Sequence, residues 1–108
     1  MILGKYIQPG ESIDYMNTGE DLKAGQVVKL SDRCGIAMTD IAKNTVGAVA
    51  VVGVFELPKE PAKTFDVGAA AYYKDDVGIT SDKSGNTAIG FIVEKAGGTD
   101  SVAKVKIG

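Results

Sequence analysis

Short apolar or alternating runs recur along the chain between clusters of Gly, Asp, Asn and Pro. No stretch of eleven or more residues places apolar side chains at the spacing of an amphipathic helix, so the pattern predicts an all-β protein. Candidate strands cover residues 12–17, 26–30, 35–39, 47–57, 70–74, 88–94 and 101–107. In the last of these Ala103, Val105 and Ile107 point one way and Lys104 and Lys106 the other, as in a strand with one face in water. Breaks at Gln8-Pro9-Gly10, Asn17-Thr18-Gly19, Lys23-Ala24-Gly25, Asp75-Asp76-Val77-Gly78, Ser84-Gly85-Asn86 and Gly97-Gly98 each supply a residue suited to positive φ in a turn. The expected architecture is one domain over residues 1–108, a small β-barrel or β-tulip-like fold of short antiparallel strands. Phe55 and Phe91, inside or ending apolar strands, are assigned to its core.

The chain also resembles itself. At an offset of 43 residues Gly25 falls on Gly68, Gly35 on Gly78 and Gly47 on Gly90, and each is followed by a similar apolar string. Two related β units account for this, as does the even spacing of strands in any small β fold.

Composition narrows the chemistry. Gly, at 14 of 108 residues, is near twice its usual share of about 7%, which fits turns rather than helices. Twelve basic and fourteen acidic residues are interspersed, and Arg33 is the sole arginine. Nucleic acid is therefore not an expected partner, because affinity for it rests on clustered Lys and Arg. There is no His, and Cys34 is alone, so zinc sites, Ser-His or Cys-His pairs and an internal disulfide are not expected. A reducing folding compartment fits this count. The N-terminal residues show no signal-peptide pattern. The longest apolar run, residues 46–55, is far short of the ~20 that span a bilayer, so no membrane association is expected.

Individual candidates point the same way. A phosphate loop needs Gly-Lys followed by Ser or Thr, but Gly4-Lys5 is followed by Tyr6. Asp75, Asp76 and Asp82 read as solvated turn residues, and Lys63, Lys74 and Lys83 lack a partner that would activate an amine. Cys34 beside Arg33 reads as a small buried hydrophobe entering a strand. Neither a catalytic residue, a metal nor a cofactor is expected. Surface candidates remain. Tyr72 and Tyr73 are neighbours on one strand, so one faces outward, where Tyr suits an interface. Residues 1–8 are apolar and include Tyr6 and Ile7, before Gln8 and a break at Pro9-Gly10. They read either as an extended arm within residues 1–10 that adds to a neighbour's sheet edge, or as the first strand.

The order of Tyr15, Ala24-Gly25-Gln26-Val27-Val28, Gly35-Ile36-Ala37-Met38-Thr39-Asp40-Ile41, Gly53-Val54-Phe55-Glu56-Leu57-Pro58-Lys59, Gly68 to Tyr72-Tyr73 and Ile89-Gly90 resembles the phage and prophage capsid decoration, or cement, proteins. The Gly-Val-Phe-Glu-Leu-Pro string is the most specific piece. The resemblance implies a non-enzymatic protein that binds the outer face of an assembled head and steadies its major capsid protein, often as a homotrimer. It implies a virion location after synthesis in the bacterial cytoplasm. An older recombinase-like label in that family suggests an alternative, a recombination accessory protein binding DNA or nucleotide. This sequence lacks the phosphate loop and basic surface such chemistry requires. A tail or fibre component would differ from a head protein only in its partner.

Overall fold

A computed structural model describes residues 1–108 and contains nine strands and no helix. The strands are β1 (Ser12–Met16), β2 (Val27–Leu30), β3 (Arg33–Ala37), β4 (Val46–Ala50), β5 (Gly53–Pro58), β6 (Ala70–Lys74), β7 (Gly78–Thr80), β8 (Thr87–Ile92) and β9 (Val102–Ile107). They form two antiparallel sheets, ordered β1-β4-β3-β2 and β5-β9-β8-β6-β7. The all-β expectation holds, but the sheets do not close into a barrel, and each keeps two edge strands. The single expected strand over residues 47–57 is in fact β4 and β5. The chain turns at Val51, Val52 and Gly53 and crosses from one sheet to the other. The turn expected at residues 75–78 leads into β7, which is too short to show alternation in the sequence.

The two sheets repeat one unit. Val28 pairs with Gly35 as Ala71 pairs with Gly90, and Val27 with Ile36 as Ala70 with Phe91. Ala37 pairs with Val49 as Ile92 with Val105, and Ile13 with Val49 as Phe55 with Val105. Strands β1, β2, β3 and β4 thus correspond to β5, β6, β8 and β9. Strand β7 has no counterpart. Val28 and Ala71 are 43 residues apart, whereas Gly35 and Gly90 are 55 apart, because the β6–β7 hairpin intervenes. The uniform 43-residue offset is therefore corrected. It holds for Gly25 and Gly68, which share a φ of 90° and 88°. Gly35, however, corresponds to Gly90 rather than to Gly78.

Each unit covers the inner face of its sheet with a loop bridge. Leu22 and Ile41 lie over Val28, Ala37 and Val49, and Phe65 and Ala96 lie over Ala71, Ile92 and Val105. One bridge is built from two middle-sized side chains and the other from a large and a small one, a swap that keeps the volume filled. Cys34, Ile36 and Ala50 lie on the opposite face of the first sheet and join the core of the second, with β3 lying against β8. The sheets are therefore stacked through side chains.

The edges differ. Lys59 bridges to Ile79, and the Glu60 amide donates to the Ile79 carbonyl at 2.8 Å, so the outer side of β7 is covered. Strand β5 ends in Pro58, which has no N–H to offer. Strand β2 is tied to the β6–β7 turn by Lys29 and Asp75, 2.9 Å apart.

The equivalent glycines both sit where a side chain would meet a neighbouring strand. A Cβ at Gly35 would come 2.8 Å from the Ala50 carbonyl oxygen, and one at Gly90 would overlap that of Lys106. Both obstacles are backbone and cannot swing away. Gly90→Ala is expected to lower unfolding free energy by about 1–3 kcal/mol, read from the urea midpoint. Gly4→Ala, in open space, is expected to change it by less than about 0.5 kcal/mol.

Candidate functional site

The first ten residues lie outside both sheets and are exposed. Tyr6, Ile7, Gln8 and Pro9 make no hydrogen bond to the body, although Tyr6 and Ile7 show more than 70% of their surface to water. The chain is first anchored at Glu11, whose carbonyl accepts from the Val51 amide at 2.8 Å. Strand β1 then begins at Ser12.

Tyr72 and Tyr73 occupy opposite faces of β6, as strand geometry demands. Tyr73 packs against the larger core. Burial, reinforced by Asp75 and Asp76, raises its phenol above the ordinary value. Tyr72 is half-buried and faces the other way, in register with Ala88 and Thr80. On that outer face a row runs from Ala70 to Phe91, Lys106 and Val54. The Lys106 amine stands 5.9 Å from the centroid of the Phe91 ring, within cation–π range.

The core assignment of Phe91 is thereby corrected: Phe91 is 42% exposed, while Phe55 packs against the core. The register of β6 and β8 shifts between Ala71 and Tyr72, and the extra residue on β8 is Ile89. The bulge lets both Ile89 and Ile92 turn inward, which leaves Phe91 outside. Since Ala88, Ile89, Phe91 and Ile92 are all apolar, no alternation in the sequence signals it. The arm and the tyrosines are also not joined. The arm leads into an edge strand of the first sheet, whereas both tyrosines belong to the second.

The acidic candidates serve turns. Asp75 pairs with Lys29, Asp76 sits at φ 64°, and a carboxylate oxygen of Asp82 accepts from the Ser84 amide at 3.0 Å. Lys63, Lys74 and Lys83 are exposed. Lys59 is an unexpected buried amine. It donates to the Lys63 carbonyl at 2.7 Å and to that of Glu60 at 3.3 Å, closing the loop beneath Phe65. Only its place after Pro58 sets it apart in the sequence. A hollow of about 310 Å³ opens between the units, lined by Val27, Leu57, Pro58, Tyr73 and Val77 among others. Its apolar walls are suited to packing rather than to orienting a polar substrate.

Residues 7–107 match the family model described as phage cement protein. No curated protein and no solved structure matches the chain.

Cys34 is the one thiol, and it is buried in the seam between the sheets. Burial pushes the thiol from its ordinary 9.0 up to about 11. Between those values the native state holds a proton that the unfolded chain releases. The stability contributed by neutral Cys34 is complete below pH 9 and is lost as pH rises toward 11. The folded protein is expected to resist a thiol-specific reagent at pH 8 and to react fully in denaturant, as followed by mass spectrometry. Cys34→Ala is expected to flatten part of the decline in urea stability above pH 9.

Proposed function

The chain belongs to the phage cement protein family, and from that membership we propose that it binds the outer surface of an assembled capsid and steadies it without catalysing a reaction. The family match over residues 7–107 carries this reading. Its direct partner is the major capsid protein, its working form a homotrimer and its final location the virion surface, after synthesis in the host cytoplasm.

The physical arrangement is compatible with adhesive work. The arm that includes Tyr6, Ile7, Gln8 and Pro9 offers apolar side chains and free backbone groups, the equipment a strand needs to pair with an exposed sheet edge. Of the two tyrosines, Tyr72 serves between subunits from an open face, while Tyr73 packs against the core and holds β6 in place. Many copies on one shell would turn modest contacts into firm retention, because a subunit held at several points rebinds before it diffuses away.

Purified protein is expected to co-sediment with mature heads that lack a cement protein and to raise their resistance to heat; absence of binding would sink the reading. Deleting residues 1–10 is expected to leave the urea transition nearly unchanged while abolishing co-sedimentation. An unfolded deletion variant would show that these residues belong to the body, and a folded one that still binds would remove the arm from the contact.

A further inference from the structure

We propose that the outer face of the second sheet on one copy docks against the outer end of the first sheet on the next copy, so that the chains close head to tail into a ring. The repeat supplies the first observation. Val27, Ile36 and Ala50 of the first unit occupy the same register positions as Ala70, Phe91 and Lys106 of the second. In the first unit Ile36 and Ala50 are buried, and Val27 half-buried, against the core of the neighbouring unit. In the second unit the row is open, with Phe91 exposed and Val54 57% exposed beside Lys106. The same row that is covered by a β unit in one half of the chain is left uncovered in the other. A second copy provides such a unit.

The first sheet supplies a complementary surface. Met16 pairs with Val46 in register, and the Met38 amide donates to the Ala48 carbonyl at 2.9 Å, which sets Met38 close by. All three side chains are more than half exposed. Such flexible thioethers adapt readily to a partner's shape. Asp14 stands opposite Ala48 within this patch and takes no part in an ion pair. Lys106 is likewise paired with no side-chain carboxylate, its amine donating to a main-chain oxygen of Gly108 at 3.3 Å. One patch therefore carries Lys106 beside Phe91 and Val54, with Glu56 next along the same face, and the other carries Asp14 beside Met16. Self-pairing of the first-sheet patch would bring Asp14 against Asp14, whereas joining the two patches brings Asp14 to Lys106. A contact between unlike surfaces is heterologous, and it ends either in a ring or in an open filament.

The inference rests on the multimeric state proposed above, and light scattering on size-separated protein tests it. The wild type is expected as a closed oligomer. Lys106→Glu and Asp14→Lys are each expected to weaken association by about tenfold or more, about 1.4 kcal/mol. The double variant is expected to regain it, because the charges are exchanged. Phe91→Ser, outside the core, is expected to dissociate the oligomer with the far-ultraviolet circular dichroism intact. Single variants with wild-type mass, or a double variant that fails to recover, would overturn the assignment. A monomeric wild type that still binds heads would overturn it too while leaving capsid binding standing. Single variants that stay oligomeric but no longer bind heads would transfer these patches to the shell.

Discussion

Burial of Cys34, Ile36 and Ala50 in the core of the other sheet is the contact on which the rest of the molecule depends. Each unit holds only four or five short strands and one bridging loop pair. Segments of that size expose a large share of their surface and are marginal alone. The first unit shows this plainly, since its own cluster contains four buried side chains, Val28, Ala37, Ile41 and Val49. By turning the opposite face of its sheet against β8, it gains a second apolar contact that its own loop cannot provide. The close approach of backbones at Gly35 and Gly90 belongs to the same economy, because neighbouring strands come close where no side chain intervenes.

Much of this was legible in the residues. Alternation in residues 101–107 and the turn chemistry around Gly25 and Gly85 placed strands and turns because both are local properties. The sheet partners were not legible, since pairing depends on contacts far apart in the chain. The repeat illustrates the limit. Matching glycines at one offset left a doubled chain and mere even spacing of strands equally open, and the inserted hairpin shifts the register after β6, so only pairing distinguishes Gly90 from Gly78 as the equivalent of Gly35.

The surface candidates were legible in part for the same reason. That one of Tyr72 and Tyr73 must face outward follows from strand geometry alone, whereas which one does so depends on the sheet that covers the other. Phe91 was assigned inward because an aromatic residue in an apolar run normally is. A one-residue bulge at Ile89 reverses that assignment, and nothing in the local composition announces a bulge. Met16, Met38 and Val46 gave no signal either, as each is unremarkable until the fold brings them to one corner. The break at Pro9-Gly10 sets the first residues apart in the sequence, and β1 begins beyond it at Ser12.

The inserted β7 hairpin has a consequence for how such a chain behaves when it is crowded. Endless growth of sheets by edge pairing, the route to amyloid-like fibres, requires each molecule to offer two open edges. Here β7 is short and sheathed by Lys59 and Glu60, β5 ends at Pro58, and β2 is joined to the neighbouring turn by one side-chain ion pair. Strand β1, and β5 ahead of Pro58, are left as edges with no strand across them. With β7 sheathed, the second sheet can be lengthened only at β5, whose last residue offers a partner no N–H, so the inserted hairpin confines edge pairing there to the few residues ahead of Pro58.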